Sequence, residues 1–342
     1  MKKTDKKSNK KKKKKRLSFK LFLAFIIFEL VFTGITGPFM LYYGPFENAR
    51  NTMVGAAMTT LSHQWIATTF LSEERINEIL NKNKIQDIDP NSTSNPEDEM
   101  EIKDTHDSTI ERYDIEGKTF KGYLLVIRNP KRVRVGYSSN IGKSGETTSK
   151  IAKKNGAVAA VNAGGFIDES ANGKQWAGNG GLPRGIIMSK GEVVYNDYKN
   201  DDIKDDIVAI TEKGLLLVGK HSVHELKEKG VKEAVSFGPA LIVNGKKAIT
   251  SGDGGWGKAP RTAIGQRKDG SILLLVLDGK QISRLAATLR DVQDVLYEQG
   301  AYNASNLDGG SSTTMYYDGK VINEPDSALG ERSIPSVIYV EP

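Results

Sequence analysis

The sequence predicts an α+β fold: a mixed β-sheet core with hairpins and flanking helices, preceded by an N-terminal transmembrane helix and a helical stalk. Three observations predict it. Short runs rich in Val and Ile recur through the last two thirds of the chain. Glycine-bearing turns separate several of these runs. Three segments of helical periodicity interrupt them, and strands that follow helices together with strands from hairpins imply a mixed sheet with helices outside.

The elements can be justified in order. The 342 residues carry a formal net charge of +7 and no cysteine. Residues 1–16 hold ten Lys, one Arg and one Asp, a net of +10, so residues 17–342 net −3. The basic character belongs to a cytoplasmic tail, and no nucleic-acid partner is expected for the body. The absence of cysteine excludes disulfides, thiolate metal ligands and cysteine nucleophiles. Residues 21–43 are apolar for long enough to span a bilayer at about 1.5 Å per residue. Pro38 directly after Gly37 makes a poor signal-peptide exit, and the apolar run continues past it, so 17–43 reads as an uncleaved anchor. Basic residues favour the cytoplasmic side, which puts residues 44–342 outside the cell membrane. Glu29 within the span is costly at the bilayer centre, and its role is not set by the sequence.

Val54, Met58, Leu61 and Trp65 form a helical apolar stripe, followed by Ile76, Ile79 and Leu80. Residues 44–81 thus read as a helical stalk, either packed on the main domain or self-associating. His63 in this stretch reads as a packing or surface residue. Residues 82–108 are acidic, polar and broken by Pro90 and Pro96, which reads as a linker. The folded domain is expected over 109–342. Its strand runs are "YLLVI", "RVRVGY", "AVAAV", "GIIM", "IVAI", "LLLV", "ALIV", "SILLLVL" and "SVIYV", with turns at "SKGE", "EKG", "NGK", "KDG" and "YDGK". Helices are expected over 144–155, 223–229 and 285–299, the last stopping at Gly300. No internal repeat is visible. His221 and His224 lie outside every motif and read as surface residues flanking a helix.

The chemistry-bearing stretches are glycine turns at the ends of apolar runs. In "SNLDGGSSTTM" a strand leaving the core at Leu307 places Asp308 at the sheet rim. Gly309 and Gly310 permit positive φ and close ligand approach, and successive amides there can form an anion nest. Ser311, Ser312, Thr313 and Thr314 add hydroxyls; the plain alternative is a tight turn capped by its own Asp. "NAGG" supplies Asn162, Gly164 and Gly165 in a second such turn. Arg261 begins a strand after Pro260, and its guanidinium suits phosphate. Glu331 and Arg332 stand together before the last strand. Asp278 ends "SILLLVLDG"; it is a third candidate acid or a turn residue, and Asp168 is a weaker one. Carboxylates, Arg and a glycine nest together suggest an anionic, phosphorylated substrate. A hard divalent cation, Ca or Mg, could be held by Asp278, Asp308 and Asn162 through oxygen. Four His outside the motifs argue against a histidine-rich dinuclear site.

Taken together, "AVAAVNAGGF", "GIIMSKGEVV", "SFGPALIVNGK", "PRTAIGQRKDGSILLLVLDG", "NLDGGSSTTM" and "ERSIPSVI" resemble the phosphodiester glycosidase family, in the family's order and over most of 120–342. Two departures stand out: two glycines rather than three follow Asp308, and "LAATL" replaces a Gly–x–Thr helix entry. The resemblance implies an extracellular, membrane-anchored, exopolysaccharide-related hydrolase that cleaves a sugar-1-phosphodiester at the glycosidic C–O bond. The phosphate ester is already a weak base, so the demand falls on stabilising an oxocarbenium-like transition state and activating water. Asp308 is the first catalytic candidate, Glu331 the second and Asp278 the third. Arg261 and the 309–312 nest would hold phosphate, and Asn162 would bind sugar hydroxyls or orient water. Two alternatives are a non-catalytic envelope protein that binds an anionic glycan, and a metal-dependent phosphodiesterase cutting P–O.

Overall fold

The computed structural model describes residues 19–58, 63–82, 85–90, 100, 102, 107–167, 179–279, 286–326 and 330–342. The basic tail, Asp168, Leu61 and much of 82–108 lie outside that set. Two units are present, residues 1–50 and 51–342. The first is dominated by the helix Phe19–Tyr43, with Pro38 inside it and nearly all its large apolar side chains exposed. It is the one helix among the described residues long and apolar enough to cross a membrane, a test that a signal sequence also passes.

The second unit is built on three sheets. One has seven strands in the order Ile110–Glu116, Phe120–Ile127, Ile272–Gly279, Arg261–Arg267, Ala301–Leu307, Ala240–Val243 and Lys246–Lys247. A second runs Lys320–Val321, Met315–Tyr317, Ala159–Asn162, Ser336–Val340 and Val133–Tyr137. The third runs Glu192–Asn196, Ile186–Ser189, Val231–Ser236, Asp205–Thr211 and Leu216–His221.

The α+β class, the hairpins and the flanking helices are as expected, but every pairing between these strands is antiparallel. The reason repeats in each sheet. Strands Ile272–Gly279 and Ala301–Leu307, joined through helix Leu289–Glu298, run parallel to each other, yet Arg261–Arg267 lies between them and pairs antiparallel to both. Helix Thr148–Lys154 likewise joins two strands separated by Ser336–Val340. Helix Val223–Glu228 joins two separated by Asp205–Thr211. Each sheet therefore holds a split β-α-β unit, so a helix between two strands correctly signals their parallel sense without making them neighbours.

Period-two alternation places the core. Leu125, Ile127, Leu274, Val276, Val161, Ile338, Val208 and Val218 turn inward into one cluster fed by all three sheets. The opposite faces are each covered by the sheet's own helix. Leu273, Leu275 and Leu277 meet Leu289, Val292 and Leu296. Ala160 and Val337 meet Ile151, and Ile207 and Ala209 meet Leu226. Burial on both faces explains why "ILLLVL" reads as an unbroken apolar run. His221 belongs to this pattern: it is 1% exposed, not a surface residue, because it shares a strand face with Leu215 and Leu217. His224, one turn later, is exposed as expected.

Buried polar side chains bridge the sheets. Gln266 of the seven-stranded sheet accepts from Leu216 N at 2.7 Å and donates to Gly214 O at 2.7 Å. Glu233 accepts from Val135 N at 2.8 Å, linking the two five-stranded sheets. Asn162 accepts from Thr262 Oγ1 at 2.7 Å, linking the second sheet to the seven-stranded one. An apolar side chain at any of these positions would leave backbone or hydroxyl groups buried without partners.

The described residues of the stalk and linker beyond residue 50 touch the domain. Beyond Asn51 they belong to its unit. Thr52 Oγ1 donates to Asp253 at 3.3 Å, and a methyl group on Gly55 would fall 2.4 Å from Gly255 O. Gln86 N donates to Ala248 O at 2.9 Å, Asp87 pairs with Lys220 at 2.5 Å, and Met100 is buried beside Leu217. These contacts are those of a segment packed on the domain.

Candidate active site

Strand ends from all three sheets converge on a cleft of about 790 Å³. Gly165 and Phe166 follow Ala159–Asn162; Asp205 and Asp206 open Asp205–Thr211; Ser236 ends Val231–Ser236 and Phe237–Pro239 follow it; Asp308–Ser312 follow Ala301–Leu307. Arg184 and Arg332 complete the polar part. Met58, Leu80, Ile85 and Trp256 line another part.

Asp308 is held from below. Its amide donates to Ala163 O at 2.9 Å, and Asn162 Nδ2 donates to its carbonyl at 2.6 Å. Asn162 is itself fully buried, with Oδ1 accepting from Thr262 Oγ1 and from Thr314 N at 3.0 Å. Its polar atoms are thus engaged within the fold, and it acts as the brace under Asp308 rather than as a group lining the cleft. Gly310 has φ +60 and Gly309 lies where a Cβ would be 2.9 Å from Pro260 O, so both glycines are required by the turn. The amide of Gly310 donates to Pro260 O at 2.8 Å, that of Ser312 to Gly309 O and that of Thr313 to Gly310 O. The amides of Gly310, Ser312 and Thr313 are therefore engaged within the turn and do not form a row open to an anion. Ser311 Oγ accepts from Arg332 Nη1 at 3.0 Å, while the Arg332 guanidinium lies 4.9 Å from the Phe166 ring centre.

Other expected residues are placed elsewhere. Arg261 is 5% exposed and outside the cleft lining. It donates to Ala287 O, Trp256 O and Gly257 O at 2.8–3.2 Å, and burial lowers its pKa to about 10. It fixes the 256–257 loop instead of facing a phosphate. Glu331 accepts from the amide of Ser149 at 2.8 Å and from its hydroxyl, at the start of helix Thr148–Lys154. Asp278 accepts from Asn323 Nδ2 and from Glu324 N, both at 3.0 Å, and burial raises its pKa. Neither carboxylate lines the cleft. The oxygen set Asp278, Asp308 and Asn162 therefore does not converge on one point. Among the described residues no group of three or more His, Asp and Glu is suited to a metal. Gly164 sits behind the cleft, its amide bonded to Ser336 Oγ at 3.1 Å.

The structure adds residues that motif reading missed. Asp205 accepts from Tyr198 OH at 2.9 Å and from the Asp206 amide at 2.8 Å; the Tyr198 hydroxyl also meets Ser236 Oγ at 2.8 Å. Asp206 packs its side chain where a Cβ on Gly238 would be 2.6 Å away. Burial raises its pKa; Lys220 opposes the rise, and Asp205 and Asp87 add to it. The signal was present in "DDIVAI", an acid pair opening an apolar strand, but it has no glycine to draw the eye.

A family model described as phosphodiester glycosidase matches residues 155–341. The SPbeta prophage-derived uncharacterized protein YomE of Bacillus subtilis is 29% identical over 203 residues, 57% of this chain and 29% of its own. The N-acetylglucosamine-1-phosphodiester alpha-N-acetylglucosaminidase of Bos taurus is 26% identical over 199 residues, 52% of this chain and 34% of its own. The chain thus spans about a third of the length of both relatives. Among solved structures, the zebrafish N-acetylglucosamine-1-phosphodiester alpha-N-acetylglucosaminidase catalytic domain, auto-inhibited by its pro-peptide, superposes with a TM-score of 0.58 at 23% identity. That match covers 71% of this chain and 87% of the other, and it shows a common fold.

Proposed function

This chain belongs to the phosphodiester glycosidase family, and from that membership we propose that it is a membrane-anchored hydrolase that cleaves a sugar-1-phosphodiester of the cell envelope at the glycosidic C–O bond. The observation that carries the reading is the joint placement of Asp308, its glycine–serine turn and Arg332 in one cleft. A phosphodiester needs a cation and donors for its oxygens; Arg332, Ser311 and the exposed Arg184 supply them. The sugar carbon needs a negative charge beside it as the bond to phosphate breaks, which Asp308 supplies. Asp206, on a strand of a different sheet, is the second carboxylate. Burial makes it a stronger base than an exposed aspartate, suited to taking a proton from water. Water adds to the sugar carbon, the C–O bond breaks, and a phosphate monoester leaves with the bonding electrons. Asn162 positions Asp308 through its carbonyl. The helix Phe19–Tyr43 is the anchor and the second unit lies outside the cell.

The test is to incubate the full chain in lipid nanodiscs with a panel of sugar-1-phosphodiesters, beginning with N-acetylglucosamine as the bovine relative's name suggests. Free sugar plus a phosphate monoester is the expected product pair. Sugar phosphate plus free alcohol would mean P–O cleavage, and binding without turnover would make the protein a glycan receptor.

A further inference from the structure

The cleft lining is of two kinds. The polar turn with Arg332 is the part read above as the phosphate site; Met58, Leu80, Ile85 and Trp256 form an apolar part of the lining. Three of these four side chains come from residues 51–90, which precede the segment matched by the family model. All four are half-buried, seated on the fold with part of their surface left to the cleft. Ile85 and Trp256 pack on the outer core of the seven-stranded sheet.

The wall is built rather than draped. Gln86 fixes Ile85 from the next position, its amide to Ala248 O at 2.9 Å and its side chain to Thr250 Oγ1 at 3.1 Å. Thr52 and Gly55 lock the turn before Met58 against Asp253 and Gly255, and a Cβ on Gly257 would fall 2.6 Å from that of Ala56. A polar alcohol on the phosphate, such as a second sugar, would need hydrogen-bonding groups where it met these side chains. Met, Leu and Ile offer none and Trp256 only its indole N–H, so most of its hydroxyls would lose water without compensation. An alkyl or isoprenoid chain would instead bury its methylenes against the wall.

We propose that Met58, Leu80, Ile85 and Trp256 give the cleft an apolar subsite, and that the phosphodiester it accepts joins the sugar to a lipid alcohol. This rests on the reading of the polar turn as the phosphate site. It also gives the apolar helix Phe19–Tyr43 a use, since a lipid-linked substrate is met at a membrane.

The test uses the leaving group alone, so that it does not depend on the sugar. Methyl, butyl and hexyl phosphate are titrated calorimetrically into the full chain in lipid nanodiscs, with empty nanodiscs as the correction for partitioning. A fully buried methylene strengthens binding about fourfold, so partial burial of five predicts hexyl over methyl by on the order of tenfold or more. In Leu80→Gln and Ile85→Gln the hexyl-to-methyl ratio falls toward one, and in Leu80→Met, which keeps an apolar side chain, it is retained. Equal binding of methyl and hexyl phosphate, or no measurable binding of hexyl phosphate, overturns the subsite. So does a gain in affinity for all three esters in the Gln variants, which would make the segment a cover over the cleft. A chain-length preference that persists while no sugar-1-phosphodiester is hydrolysed leaves the subsite standing and overturns the hydrolytic reading instead.

Discussion

Asp308 and Arg261 stand on adjacent strand ends and have opposite assignments, one facing the cleft and one holding a loop behind it. Their variants should separate cleanly. Asp308→Asn keeps the shape, the amide bond to Ala163 O and the Asn162 brace, and removes only the charge. Turnover should fall at least 10²-fold with the melting temperature unchanged, the lower range for losing a positioned carboxylate. Arg261→Leu leaves three carbonyls without their donor, at a cost of about 2–5 kcal/mol in stability. A folded Asp308→Asn protein with normal turnover would pass the role to Asp206. His221 gives a third residue-scale prediction. Burial lowers its pKa to about 4; Lys229 and Lys204 push the same way and Glu225 opposes them. The folded state therefore binds fewer protons than the unfolded chain between pH 6.5 and about 4. Its share of stability is full above pH 6.5 and is lost as pH falls through that window, by up to about 3 kcal/mol. Denaturant midpoints from pH 7 to 4 should fall in the wild type and fall less in His221→Phe.

At the scale of elements, Gln266 shows what holds two sheets in register. Across the seam its side chain receives the Leu216 amide and donates to Gly214 O, and within its own hairpin it donates to Gly270 O. Gln266→Leu matches its size but orphans all three, so a loss of about 2–4 kcal/mol is expected by urea denaturation, far above that of an exposed substitution. A Gln266→Leu protein as stable as the wild type would mean that the sheets are joined by apolar contact alone. The same seams show which elements were legible in the sequence. The hairpins were, because Lys190, Asn244 and Asp318 take positive φ before a glycine, and that pattern is local chemistry. Strand Val231–Ser236 was not, since "VKEAVS" puts Glu233 in the middle of a buried run and its reason, the Val135 amide, lies on another sheet. The site divides likewise. Asp308 and its glycines are read from a turn, whereas the roles of Arg261, Glu331 and Asp278 depend on partners 4 to 182 residues away.

Across the second unit, the boundary of the folding domain follows from what residues 51–90 touch. The composition of 82–108 suggests a detached linker and a core beginning near residue 109. The contacts say otherwise: Thr52 with Asp253, Gln86 with Ala248 and Thr250, Asp87 with Lys220, and the carbonyl of Pro90 with Asn244 at 3.2 Å. Removing residues 1–108 would uncover Ile249 and Trp256 at the edge of the outer core and strip Gly254–Gly257 of the helix packed on it. Each large apolar side chain so exposed costs about 1.5–3 kcal/mol, a sizeable part of the 5–15 kcal/mol by which a domain is stable. A chain beginning at 51 should therefore be soluble and melt as the full chain does in nanodiscs. One beginning at 109 should melt several degrees lower and bind a hydrophobic dye. Limited proteolysis checks the same point from the other side, since the described part of 51–82 should be protected together with the core. Equal melting of the two truncated chains would show that the contacts of 51–90 contribute nothing to the fold, and would leave lining the cleft as the segment's whole purpose.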